Sequence, residues 1–267
     1  MNESLETVTS QILLISCEQS DSPAPFDDFS RNMSTVADKQ YYNVGVLLFQ
    51  NADILDFAGP MEVLSHVSRN RNPDDPDRIF TIHTIAQATT IRAANALTVR
   101  VDTSLDDALE NISDYDILVV PGGPPSVLQP MVDANVPEIE LIRGFAHLPR
   151  IASKRPRLLF SVCTGAFLLG ATGVLSGLTV TTHHRAIDTL RDICIKFGNK
   201  SEPPTNVVHR RYMDGGFIKG GAVQVITAGG VSSGLDASFY VVRLLTTTEM
   251  AAFVSRVMEY NWNELDK

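Results

Sequence analysis

The chain has 267 residues, 44% of them apolar and 20% charged, with a formal net charge of −9; this balance fits a globular protein with one sizeable core and excludes a disordered chain. The acidic average surface carries no Lys/Arg-dense stretch and argues against a nucleic-acid partner, while no apolar run approaches the roughly 18 residues of a bilayer span, which argues against a membrane one. Cys17, Cys163 and Cys194 are too few and scattered for a disulfide framework. With the acids of Met1-Asn-Glu-Ser-Leu-Glu at the start, they point to a reducing, cytoplasmic setting without a leader.

Residues 1–39 are polar and read as an N-terminal extension, either a flexible tail or a lid or partner segment, ahead of one domain over 40–267. The first strand is Tyr42-Asn-Val-Gly-Val-Leu-Leu-Phe. A helix from Pro60, a strand over Phe80–Ala86, a helix from Ser104 and a strand over Ile117–Val120 follow. Next come a helix from Val136 to about Ser153, a strand over Leu158–Val162 and a helix from Thr164 to Ala171. Leu178–Thr182 is a weaker strand, and Arg210–Ile218 reads as a hairpin turning at Asp214-Gly215. A strand over Val225–Ala228 and helices over about Ser233–Thr247 and Thr248–Leu265 close the chain. Near-continuous apolar strands are covered on both faces, and their alternation with helices predicts an α/β fold, a mostly parallel sheet with helices on both sides. Reacting groups then gather at the carboxyl edge. Three loops there are unusual: Asp56-Phe-Ala-Gly-Pro, Pro121-Gly-Gly-Pro-Pro and Cys163-Thr-Gly.

Cys163 ends a buried strand and is followed by the small residues Thr164-Gly165-Ala166, the strand-turn-helix setting of a nucleophile elbow. Backbone N–H groups and the positive end of the helix dipole are expected there to favour the thiolate and lower the thiol's pKa. Cys194 and Cys17 have no such context and read as structural. The glycines Gly122 and Gly123 allow close backbone approach, and the N–H groups of Gly123 and Thr164 are expected to form an oxyanion-type hole. Asp56 is either a cap on the helix that Pro60 starts or a catalytic acid. His183, with His184 beside it, is a candidate at the same edge. The six histidines and three cysteines show no ligand spacing for a metal. No Gly-x-Gly-x-x-Gly or phosphate loop is present, so no cofactor is expected.

Asp56-Phe-Ala-Gly-Pro-Met-Glu62, Val120-Pro-Gly-Gly, Ser161-Val-Cys163-Thr164-Gly165, Thr181-Thr-His183 and Ala228-Gly-Gly-Val-Ser-Ser-Gly-Leu-Asp236, in this order, resemble the ThiJ/PfpI superfamily. Asp56 and Thr164 resemble its isonitrile hydratase branch in particular. The resemblance implies a flavodoxin-like sandwich, a homodimer, a small-molecule substrate and no cofactor. It implies that Cys163 attacks an isonitrile carbon to give a thioimidate that water hydrolyses to an N-substituted formamide. Asp56 would move protons, and Thr164 and Gly123 would assist by hydrogen bonds. Residues such as Phe57, Leu128 or Phe167 would line an apolar pocket. His184 departs from the branch, which has an aromatic residue, typically tryptophan, after the histidine.

Three alternatives stand beside this reading. A glyoxalase or deglycase of the same superfamily pairs a glutamate with its elbow cysteine and often has histidine directly after it. The sensor halves of AraC-type regulators resemble isonitrile hydratases but continue into a helix-turn-helix region, where this sequence has an acidic helix. A redox sensor would use an accessible cysteine without turnover.

Overall fold

A computed structural model describes residues 40–150 and 156–262. The N-terminal extension, with Cys17, lies outside the described residues, and the two helices expected to run to about Ser153 and Leu265 end earlier, at Ala146 and Val257, where the chain passes into turn and irregular backbone. In chain order the elements are β1 (Tyr42–Leu47), α1 (Ile54–Ser65), β2 (Phe80–Ala86), β3 (Thr90–Ala93), β4 (Leu97–Arg100), β5 (Thr103–Ser104), α2 (Leu105–Glu110) and β6 (Ile117–Val120). They continue with α3 (Pro125–Ala134), α4 (Pro137–Ala146), β7 (Arg157–Val162), α5 (Ala166–Ala171), β8 (Thr179–Val180), α6 (Ile187–Phe197) and β9 (Asn206–Val207). The last are β10 (Tyr212–Phe217), β11 (Val223–Ala228), α7 (Ser233–Leu245) and α8 (Thr248–Val257).

Seven strands form the central sheet in the order β10-β11-β7-β6-β1-β2-β5. All neighbours pair in parallel except β10 with β11. Strands β6, β7 and β11 are buried at every position. That is why Ile117–Val120 and Leu158–Val162 read as unbroken apolar runs, since helices cover both faces. The chain leaves β1 first toward β2 on one side and later returns to place β6 on the other, so the strand order reverses between β1 and β6. Ligands of open α/β sheets bind outside the carboxyl ends of the strands at such a reversal. Here the loops after β1 and β6 are tied together, with the Asp53 N–H donating to the Gly122 carbonyl at 2.9 Å.

Several local expectations are corrected. The chain between β10 and β11 turns at Ile218–Gly221, where Gly220 and Gly221 have φ of 103° and 74° and the Gly221 N–H donates to the Ile218 carbonyl. Asp214-Gly215 instead makes a bulge within β10: the register shifts between Asp214 and Gly216, and the Gly216 N–H donates to Asp214 Oδ1 at 3.0 Å. An Asp-Gly pair satisfies either geometry, and the apolar Phe217 beyond it extends the strand. Helix α1 starts at Ile54, not Pro60; Pro60 sits inside it and forgoes the hydrogen bond to the Asp56 carbonyl. Asp56 is therefore in the first turn of α1 and is not its cap. Strand β8 lies outside the main sheet and pairs with β9. Helices α3 and α6, and the β3–β4 hairpin, were not legible as periodic runs.

Candidate active site

After six buried residues of β7, the backbone at Cys163 flips to φ 57° and makes a single tight turn, Cys163–Gly165, before α5. A non-glycine residue in that region is uncommon and marks local strain that the surroundings must hold. Here they do: the Cys163 N–H donates to the Gly229 carbonyl at 2.9 Å, and Thr182 Oγ1 donates to the Cys163 carbonyl at 2.8 Å. Gly165 closes the turn at a point where a Cβ would lie 2.3 Å from the Val120 carbonyl oxygen, so no side chain fits. The elbow expected from sequence is present, with a nearly buried sulfur.

The loop after β6 meets this elbow backbone to backbone. A Cβ on Gly122 would lie 2.6 Å from Thr164 Oγ1 and 2.9 Å from Asp56 Oδ2, which leaves glycine as the residue that fits. The Gly122 N–H donates to Asp56 Oδ2 at 3.1 Å. The Gly123 N–H, expected in the oxyanion hole, donates instead to Thr164 Oγ1 at 3.0 Å, and that hydroxyl donates back to the Gly123 carbonyl at 2.7 Å. Thr164 is thus a clamp between two loops. The backbone N–H groups that point at the Cys163 sulfur are those of Thr164 and Val231. Val231 was missed because its contribution is a main-chain donor that no residue type announces; its φ of 41°, unusual for a β-branched residue, is the structural sign. Thr164→Val, nearly isosteric, strands the Gly123 N–H in a buried site. It is expected to cost about 1–3 kcal/mol in urea unfolding, and an unchanged midpoint would remove the clamp.

The electrostatics differ from the sequence expectation of a stabilised thiolate. Burial, and then the neighbouring Asp56 charge, push the Cys163 thiol up to about 12 despite the two N–H groups. The same burial, with the Asp53 charge next, pushes the Asp56 carboxyl up to about 7, against the opposing hydrogen bonds from Gly122 and from the Cys163 thiol. Asp56 is fully buried, and its Oδ1 has no N–H or O–H donor among the described residues. The thiol beside it is the donor at hand. At rest, then, the site holds a protonated sulfur next to a carboxyl poised near neutrality. Asp53, not singled out from sequence, completes the cluster: donor atoms of Asp53, Asp56 and Cys163 all lie within 4.8 Å of one another, the one such grouping among the described residues. The spacing of three between Asp53, at the N-cap of α1, and Asp56 in its first turn is the signal that could have revealed the pair.

His183 lies one wall away. Its ring packs on Gly230, where a Cβ would lie 2.4 Å from the ring, and its Nδ1 accepts from the Arg185 N–H at 3.2 Å. Acceptance at Nδ1 places the neutral ring's proton on Nε2. Burial, then the neighbouring His184 and Arg185, push its pKa down, while Asp53 opposes them. A pocket of about 360 Å³ opens here, lined by Thr182, His183, His184, His209, Arg210, Arg211 and the Gly229–Val231 turn, with Ser233. Phe57, Leu128 and Phe167 do not line it; they are at most 3% exposed and belong to the core. Its lining residues are mostly polar or basic, with Val231 the one aliphatic side chain among them. Cys194 is buried on α6, away from this pocket.

The family model described as DJ-1/PfpI family matches residues 42–243. The chain is similar to the isonitrile hydratase of Pseudomonas putida, 26% identical over 221 residues that cover 81% of this chain and 78% of that protein. Its fold is similar to a THiJ/PfpI family protein from Pseudomonas syringae, with a TM-score of 0.65 at 19% identity, covering 91% of this chain and 85% of that one. It is also similar to oxidized Toxoplasma gondii DJ-1, with a TM-score of 0.60 at 13% identity, covering 83% and 100%. A matched span that takes in Asp56, the Gly122–Gly123 loop, the Cys163 elbow and the turn that supplies Val231 places this chain in the DJ-1/PfpI family.

Proposed function

We propose that the protein hydrates isonitriles, converting R–N≡C and water to R–NH–CHO through a covalent bond to Cys163. The observation that carries this reading is the Asp56 carboxyl, tuned to about 7 and seated against the Cys163 thiol. Sequence similarity to an isonitrile hydratase supports it.

A resting thiol suits an isonitrile, whose terminal carbon must gain both a nucleophile and a proton. As the sulfur attacks, its S–H bond breaks and the proton passes to the Asp56 carboxylate. Asp56 returns that proton to the same carbon, so that S–C and C–H bonds form and the product is the thioimidate R–N=CH–S–Cys163. The N–H groups of Thr164 and Val231 stabilise charge on the sulfur while it is between partners. Asp56 then takes a proton from water as the oxygen adds to the carbon. Asp56 passes that proton to the imine nitrogen, and collapse of the adduct breaks the C–S bond while its hydroxyl proton moves by way of Asp56 to the sulfur, releasing R–NH–CHO and restoring the thiol.

A glyoxalase-type enzyme is the nearest rival, but here the carboxyl beside the sulfur is an aspartate and the residue after the cysteine is Thr164. A redox sensor is disfavoured because a thiol held near 12 presents little thiolate to an oxidant. The homodimer and the cytoplasmic setting belong to the same reading; among the described residues no helix is long and apolar enough to cross a membrane. The test is formamide release from cyclohexyl isonitrile, followed by mass spectrometry beside methylglyoxal consumption. Turnover of the first supports the hydratase, and turnover of methylglyoxal alone moves the protein to the glyoxalase reading.

A further inference from the structure

The pocket beside Cys163 is cationic in a chain whose net charge is −9. Its inner wall is made of groups tied to the nucleophile: Thr182 holds the Cys163 carbonyl, Gly229 accepts from the Cys163 N–H, and Val231 points its own N–H at the sulfur. Its outer wall carries His184, His209 and Arg210. The histidine rings form a continuous row, with centroids 4.3 Å apart between His183 and His184 and 6.3 Å apart between His184 and His209.

The two adjacent arginines differ in what they have left to give. Arg211 is committed: its guanidinium pairs with the buried Asp236 carboxylate and contacts Ser232, Ser233 and the Tyr260 hydroxyl. Arg210 makes one weak side-chain contact, from Nη1 to the His209 carbonyl at 3.3 Å. Among the described residues no carboxylate pairs with it. Of the acids near this wall, Asp236 is already paired with Arg211, and Asp53 acts on His183 at the inner side. The positive charge of Arg210 is therefore unspent at the rim of a concavity of about 360 Å³, a volume at the small end of ligand sites. A guanidinium fork matches a planar carboxylate in two parallel hydrogen bonds, and neighbouring imidazole N–H groups add donors to the same oxygens.

We propose that this pocket takes the substituent end of the substrate and that the substituent bears a carboxylate, held by Arg210 with His184 and His209. The proposal rests on the isonitrile reading for the reacting end and adds the class of molecule that carries it. It also accounts for His184: an imidazole in place of a large aromatic ring opens space and supplies a donor on the side where the carboxylate sits.

The test compares two isonitriles with one skeleton, cyclohexyl isonitrile and 4-isocyanocyclohexanecarboxylate. In the wild type kcat/KM for the carboxylate is expected to exceed that for the neutral compound by about tenfold or more. This ratio falls toward one in Arg210→Gln and is largely kept in Arg210→Lys. A wild-type ratio near one, or a ratio unmoved in Arg210→Gln, overturns the proposal. A second measurement does not depend on turnover: cyclohexanecarboxylate is titrated into the wild-type protein to about 10 mM while the histidine ring protons are followed by NMR. Saturable shifts at His184 and His209 that Arg210→Gln weakens support the carboxylate site even where no isonitrile is consumed, in which case the hydratase reading alone fails. The absence of such shifts overturns the site and leaves the hydratase reading to its own assay.

Discussion

Cys163→Ser is expected to lower kcat for isonitrile hydration by at least about 10,000-fold while the protein still folds. Serine keeps a hydrogen-bond donor of similar shape beside the Asp56 carboxylate, so the buried pair retains a partner and the loss of stability stays near 1 kcal/mol. The chemistry does not survive the exchange. A thiol at about 12 lies about five units above Asp56 at about 7, a gap that attack on an electrophile can close as the S–H bond breaks. An alcohol is several units weaker still as an acid and a far poorer nucleophile toward carbon. Circular dichroism and a urea midpoint close to wild type, with formamide production lost, match the covalent route. Activity within tenfold of wild type would sink it.

Asp56→Asn is expected to have the second largest effect, a fall of about 100- to 10,000-fold in kcat, together with a change in how stability depends on pH. The Asp56 carboxyl is raised from 3.8 to about 7 in the folded protein, by burial first and by the Asp53 charge second. Between those values the native state holds a proton that the unfolded chain has released, so this group's stabilising contribution is complete below about 4 and is lost as pH rises through 7. Urea unfolding at pH 5 and pH 8 should therefore show wild-type stability falling by about 3 kcal/mol more than that of Asp56→Asn. Equal falls in the two proteins would mean that Asp56 is ionised at both pH values. Wild-type kcat should rise with pH around a midpoint near 7, because the carboxylate form accepts the thiol proton, and the variant's residual rate should lose that midpoint.

Much of the fold was legible because the central strands are buried on both faces and the outer ones are rich in β-branched and aromatic residues. Ile117–Val120 and Phe80–Ala86 emerge with the bounds read from the sequence, and Leu158–Val162 lacks only Arg157. What escaped were elements whose signal is shared with something else. Helix α3 is flanked and interrupted by prolines, Pro124, Pro125 and Pro130, and reads as loop. Helix α6 buries only Leu190, Ile193 and Cys194, a stripe too thin to stand out. Asp214-Gly215 advertises a turn and makes a bulge. In the site, side chains that sit on loops after strands were found, namely Cys163, Thr164, Asp56 and His183, while Asp53 was passed over as loop polarity. The main-chain donors could not be read, because a residue's letter does not say where its N–H points. The Gly123 N–H, expected to face the reacting atoms, is spent on Thr164, and it is the Val231 N–H that points at the sulfur. The acidity of Cys163 was misjudged for a related reason. The elbow motif reports the turn but not the burial and the carboxyl across the gap, and these outweigh it.

The contacts that close the site join parts of the chain far apart in sequence: the Asp56 carboxylate to Gly122 spans 66 residues, and Gly123 to Thr164 spans 41. The first needs β1 beside β6 and the second β6 beside β7, so both are in place only when all three strands lie side by side. Loop closure over such distances is repaid only when the whole sheet is assembled. A partly folded chain therefore carries an ordinary, freely ionising cysteine, and the nucleophile's altered acidity arrives with the last strands. The reactivity of this one sulfur toward a general alkylating reagent is in that sense a gauge of whether the molecule is complete.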